Sequence, residues 1–72
     1  MPNKIDQRVG ARICLLRQRA GLSAGELAQR LAFDVPQLAA FEAGEVRISA
    51  SNLFRVTRAL GVKVSEIFAF EG

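Results

Sequence analysis

The sequence predicts an all-α domain of five short helices, and three observations carry that prediction. Apolar residues recur at helical spacing, as in Val9, Ile13 and Leu16, in Leu27, Ala28 and Leu31, and in Leu53, Val56 and Leu60. Capping residues stand ahead of the runs: Ser23 with Glu26, Asp34 with Gln37, and Ser49 or Ser51. Glycines close them at positions 21, 44 and 61, where a left-handed residue ends a helix. The 72 residues are read as one domain, residues 1–72, without linker, repeat or low-complexity stretch.

A first helix is expected over about Lys4 to Ala20, with Ile5, Val9, Ile13, Leu16 and Ala20 as its buried stripe. Lys4, Arg8, Arg12 and Arg19 fall on a neighbouring row. Two readings stand for that row: a solvated face, or cations of which one or two reach a phosphate. Cys14 lies off the stripe and reads as a small filler.

The stretch Ser23 to Gly44 reads as two short helices joined at Ala32 and Phe33. Ser23 and Glu26 form an S-x-x-E capping box for the first of them. Asp34 and Gln37 form a second capping pair, and Pro36 sits in the first turn, where its missing N–H does no harm. Leu38 and Phe41 continue the apolar face. Two helices of this length and spacing are the skeleton of a helix-turn-helix. A fourth helix is expected over about Ala50 to Leu60, and a fifth over about Ser65 to Phe70.

From Val9 to Phe68 the chain resembles the lambda-repressor-like, Cro/XRE-type helix-turn-helix regulators. The resemblance rests on VGARICLLRQRAGLS, on SAGELAQRLAFDVPQLAAFEAG and on SNLFRVTRALGVKVSEIF, in that order. It implies that the helix containing Val35 to Glu42 is the recognition helix, which enters the DNA major groove. It implies a structural salt bridge between Arg17 and Glu42, which a guanidinium fork suits. The other reading of that pair is two solvated charges.

The resemblance also places the DNA-reading positions at Ala24, Val35, Pro36, Ala39 and Ala40, and every one of them is apolar. Base edges are read by Arg, Lys, Asn and Gln, whereas alanine and valine offer contact with a thymine methyl. Gln37 is the polar side chain left on that face, open to either capping or base contact. Arg47, Ser49, Ser51 and Asn52 are candidates for phosphate contact at the start of the fourth helix, or for capping and loop solvation. Family members usually carry glycine, with φ > 0, where this chain has Ala32; either an alanine is held there at a cost of roughly 1–2 kcal/mol, or the geometry of the turn differs.

Ten basic against seven acidic residues give a net charge of +3, which leans toward a polyanionic partner. The chain has no histidine, hence no histidine base for a triad, and its single cysteine gives no zinc cluster. An enzyme and a cofactor are not expected. The absence of an apolar leader or long apolar run points to the cytoplasm and away from a membrane.

Ile67, Phe68 and Phe70 crowd the C-terminus and read as a dimer surface, or as residues closing the core from below. The resemblance thus implies a bacterial or phage transcriptional regulator of the repressor class that binds double-stranded DNA as a homodimer or heterodimer. With its apolar reading face, the chain is expected to pair with a DNA-competent relative. The alternative is a protein-interaction module that has kept the fold and lost DNA binding.

Overall fold

The computed structural model describes residues 4–69, and among these the regular structure is helical throughout. Five helices follow in order: α1 (Lys4–Arg19), α2 (Ala24–Leu31), α3 (Val35–Glu42), α4 (Ala50–Leu60) and α5 (Val64–Ile67). α3 packs against both α1 and α2, α4 against α2 and α1, and α5 closes the base against α1 and α4. One core joins them: Val9, Ile13, Leu16, Leu27, Ala28, Leu31, Leu38, Val56 and Ile67. Leu22, Phe33, Ile48, Leu53, Leu60 and Val62 pack on it from the loops and helix edges.

The helix ends follow from backbone hydrogen bonding. Ser23 accepts from the Glu26 N–H, and the Glu26 carboxylate accepts from the Ser23 N–H, so the capping box closes in both directions. Ser49 caps α4 by accepting from the Asn52 N–H. At the C-terminal ends of α1 to α4 the chain turns through left-handed residues. After α3 the Gly44 N–H bonds to the Phe41 carbonyl and the Glu45 N–H to the Ala40 carbonyl. The same pattern ends α2, where the Ala32 and Phe33 N–H groups reach the Gln29 and Ala28 carbonyls. There the left-handed residue is an alanine, Ala32, at φ 57°.

Three expectations are corrected. Ile5 is 58% exposed and Ala20 is exposed, because the first turn of α1 overhangs the core and the helix ends at Arg19. Asp34 takes the N-cap place of α3 but makes no side-chain capping bond. Pro36 removes the donor at the second helical position, and the Gln37 N–H at the third is not taken up by the Asp34 side chain. α5 is shorter than expected and starts one residue earlier, with the Lys63 N–H bonded to the Glu66 carboxylate. Phe70 lies outside the described residues. Within the cationic row, Arg12 Nε donates to the Glu66 carbonyl at 2.9 Å and ties α5 to α1.

Candidate nucleic-acid interface

α3 presents one face to the core and the other to solvent. Leu38 and Phe41 are buried, while Val35, Pro36, Gln37 and Ala39 are exposed and Ala40 is half-buried. Val35, at 47% exposure, is the largest apolar side chain on the outer face. Ala24 does not share that face, because it is half-buried against the core at the start of α2. Gln37 is exposed and not bound up in a capping box.

The C-terminal end of α3 is fixed by two contacts with α1. Arg17 Nε lies 2.8 Å from Glu42 Oε2, and Arg17 Nη2 lies 3.1 Å from Oε1, a two-pronged ion pair. The side chains are 13% and 11% exposed. The hydrogen bond to Glu42 raises the Arg17 pKa above its ordinary value against the opposing effect of burial, so the guanidinium stays charged. Its Nη1 also donates to the Leu22 carbonyl, and Nη2 approaches Cys14 Sγ. The second contact is steric. A Cβ built on Gly10 would stand 2.2 Å from the Phe41 carbonyl oxygen and 2.6 Å from that of Glu42. Only a glycine lets α1 lie this close to the end of α3. The sequence gives one signal of this, a glycine inside a helix where alanine is favoured.

The loop between α3 and α4 carries the remaining candidates. Arg47 is not a solitary cation: its Nε lies 3.2 and 3.4 Å from the two carboxylate oxygens of Asp6. Ser49 is engaged in capping, Ser51 is exposed, and Asn52 Oδ1 accepts from Arg55 Nη1 at 3.4 Å. Arg55 also donates to the Leu31 carbonyl and stacks over Phe33, 5.4 Å from the ring centroid. Asp6 was not legible as a partner of this region, because it reaches Arg47 from forty-one positions away in the sequence.

At the C-terminus the structure separates residues that the sequence groups. Ile67 is fully buried and belongs to the core, so it is not part of an exposed dimer surface. Phe68 is 47% exposed and lines an apolar groove of about 340 Å³ with Ile5, Val9, Ile48 and Leu53, edged by Asp6 and Arg47. Among the described residues no group of His, Cys, Asp and Glu could hold a metal. Nor is any helix long and apolar enough to cross a membrane.

A helix-turn-helix domain family model matches residues 8–69. The chain belongs to the Cro/XRE-type helix-turn-helix regulators. Members of this family are DNA-binding transcriptional regulators rather than enzymes. An uncharacterized HTH-type transcriptional regulator of Sinorhizobium medicae is 39% identical over 67 residues, covering 93% of this chain and 48% of the relative. An uncharacterized transcriptional regulator in the ATPase CF(0) region of Rhodospirillum rubrum is 34% identical over 65 residues, covering 90% of this chain and 60% of the relative. The chain spans about half the length of the first of these curated relatives. Among solved structures, the clp gene regulator ClgR of C. glutamicum superposes with a TM-score of 0.88 at 26% identity, covering 92% of this chain and 86% of that one. The restriction-modification controller protein C.AhdI of Aeromonas hydrophila gives 0.81 at 29% identity, covering 86% and 94%.

Proposed function

We propose that this helix-turn-helix chain acts in the cytoplasm as a dimeric transcriptional regulator of the repressor class. In this reading it takes much of its base readout from a DNA-competent relative paired with it. One observation carries the proposal: α3, in the place that the resemblance gives the recognition helix, is tied to α1 by Arg17 and Glu42, yet its outer face is Val35, Pro36, Gln37 and Ala39. Gln37 alone on that face has hydrogen-bonding groups for a base edge. A good bidentate pair contributes roughly 1–3 kcal/mol of discrimination, and specific binding exceeds non-specific by roughly 4–10 kcal/mol. Methyl contacts and one glutamine fall short of that range. Arg47 and the start of α4 then supply phosphate contacts, which position the domain without reading sequence.

The exposed groove around Phe68 supports the dimer, since its apolar lining is suited to burial against a second subunit. The same apolar surfaces also favour the second reading, an interaction module without DNA binding. Selection from a mixed pool of duplexes tests both. Alone, the protein is expected to bind weakly and enrich no motif. With a DNA-competent relative, it is expected to shift affinity or half-site preference. A high-affinity palindrome selected by the protein alone would overturn the shared readout. Binding with neither sequence preference nor salt dependence would favour the interaction module.

A further inference from the structure

The loop between α3 and α4 is seated on the first two turns of α1 at two points. Gly44 lies directly on Gln7, where an added Cβ would meet the Gln7 Cα at 2.4 Å. Three residues later, Arg47 meets Asp6. The two partners differ in their surroundings: the Asp6 side chain is 9% exposed and that of Arg47 is 69% exposed. The carboxylate is therefore the fixed member of the pair, and the guanidinium the member that faces out.

The contact uses one of the five N–H donors of the guanidinium. Both carboxylate oxygens address Nε, and the four terminal N–H donors remain for a second anion. An exposed arginine loses rotamer freedom when it grips a phosphate, and one already held at Nε loses less. A carboxylate gripping the terminal fork would instead block the phosphate.

We propose that Asp6 is a positioning residue that holds Arg47 toward a DNA phosphate, the guanidinium bridging the buried carboxylate and the phosphate oxygen. This rests on the reading of Arg47 as a phosphate contact, and it adds a member of the interface from forty-one positions earlier in the sequence. The arrangement is distinct from simple charge attraction, because removing Asp6 makes the protein more positive and yet weakens its grip.

The test is the salt dependence of duplex binding by the wild type, Asp6→Ala, Arg47→Ala and the double variant. Loss of one phosphate contact lowers the slope of log K against log salt by about 0.9 for each protomer. Asp6→Ala and Arg47→Ala are each expected to show that loss, and the double variant no further loss. An unchanged or steeper slope for Asp6→Ala overturns the proposal, since the carboxylate would then be inert or a competitor of the phosphate. Asp6→Ser, which removes the carboxylate and leaves a short hydroxyl that cannot reach Arg47 in its place, covers the case in which Asp6→Ala does not fold. Its slope is expected to fall as in Asp6→Ala, and a wild-type slope overturns the proposal. A wild type whose binding does not respond to salt removes the DNA-binding reading itself, and this proposal with it.

Discussion

The Arg17 guanidinium closes on the Glu42 carboxylate with both prongs and so fastens the last turn of α3 to α1 across twenty-five positions of sequence. Both side chains are nearly buried, so neither charge is well hydrated if left alone. Removing one partner of such a pair is costly because the other stays behind unpaired. Glu42→Ala is expected to lose about 3–5 kcal/mol of unfolding free energy. Denaturant titration of parent and variant measures it. A difference within half a kcal/mol would reduce the pair to two surface charges. Replacing both partners by apolar residues of similar volume is expected to cost much less than either single change.

Ala32 holds a position that glycine holds at the ends of α1, α3 and α4. Its left-handed backbone brings Cβ close to the following carbonyl. Ala32→Gly is therefore expected to raise stability by a few tenths to about 1 kcal/mol, the strain relief outweighing the greater freedom of glycine in the unfolded chain. Ala32 is exposed, so no packing is lost. A lower thermal midpoint in the glycine variant would show that the turn is unstrained.

Gly10 makes the opposite prediction. The atoms its Cβ would strike are carbonyl oxygens of the end of α3, which have no side-chain freedom to move aside. Gly10→Ala is expected to cost roughly 1–3 kcal/mol by overpacking, although alanine is the better helix former. An unchanged or raised midpoint would mean that α1 and α3 can separate without cost.

These positions show what the sequence could and could not carry. Helix existence, order and the turn at Ala32 were legible, because periodicity and caps are local signals. The Ser23–Glu26 box was readable for the same reason, its two members being three residues apart. Asp34 takes the N-cap place but leaves the Gln37 N–H without a side-chain cap, so the capping pattern overstated its role. Ile67 and Phe68 were grouped as neighbours in sequence, yet a short helix points one inward and the other outward. The partners of Arg47 and Gly10 were not legible, since contact between residues this far apart is decided by helix packing.

The capping box gives a pH prediction. Accepting the Ser23 backbone N–H, and then its side-chain contact, holds the Glu26 carboxyl below its ordinary value of 4.5. The folded state then binds fewer protons than the unfolded state in that range. The contribution is complete above the unfolded value and is lost as pH falls through the folded one. Thermal midpoints are expected to fall from about pH 4.5 downward, and less steeply in Glu26→Gln than in the parent. Parallel curves for the two proteins would mean that Glu26 does not titrate differently on folding. Ser23→Ala removes the reciprocal half of the box and is expected to cost roughly 0.5–2 kcal/mol at neutral pH.

The last prediction separates the core from the surface at α5. Ile67 is fully buried, so Ile67→Ala is expected to cost about 2–5 kcal/mol, whatever the oligomeric state. Phe68 is half exposed and lines the groove formed by Ile5, Ile48 and Leu53. If that groove is where two subunits meet, Phe68→Ser weakens association while the isolated fold survives. Sedimentation equilibrium of the parent and both variants, with a far-ultraviolet thermal scan of each, distinguishes the cases. The expected pattern is a Phe68→Ser protein that is folded but monomeric at concentrations where the parent is dimeric. Ile5→Ser, which also alters the groove lining, is expected to behave alike. A Phe68→Ser protein that stays dimeric places the subunit contact elsewhere. A folded Phe68→Ser monomer that binds DNA as tightly as the parent would sever dimerisation from DNA binding, because two linked recognition helices gain affinity that one cannot.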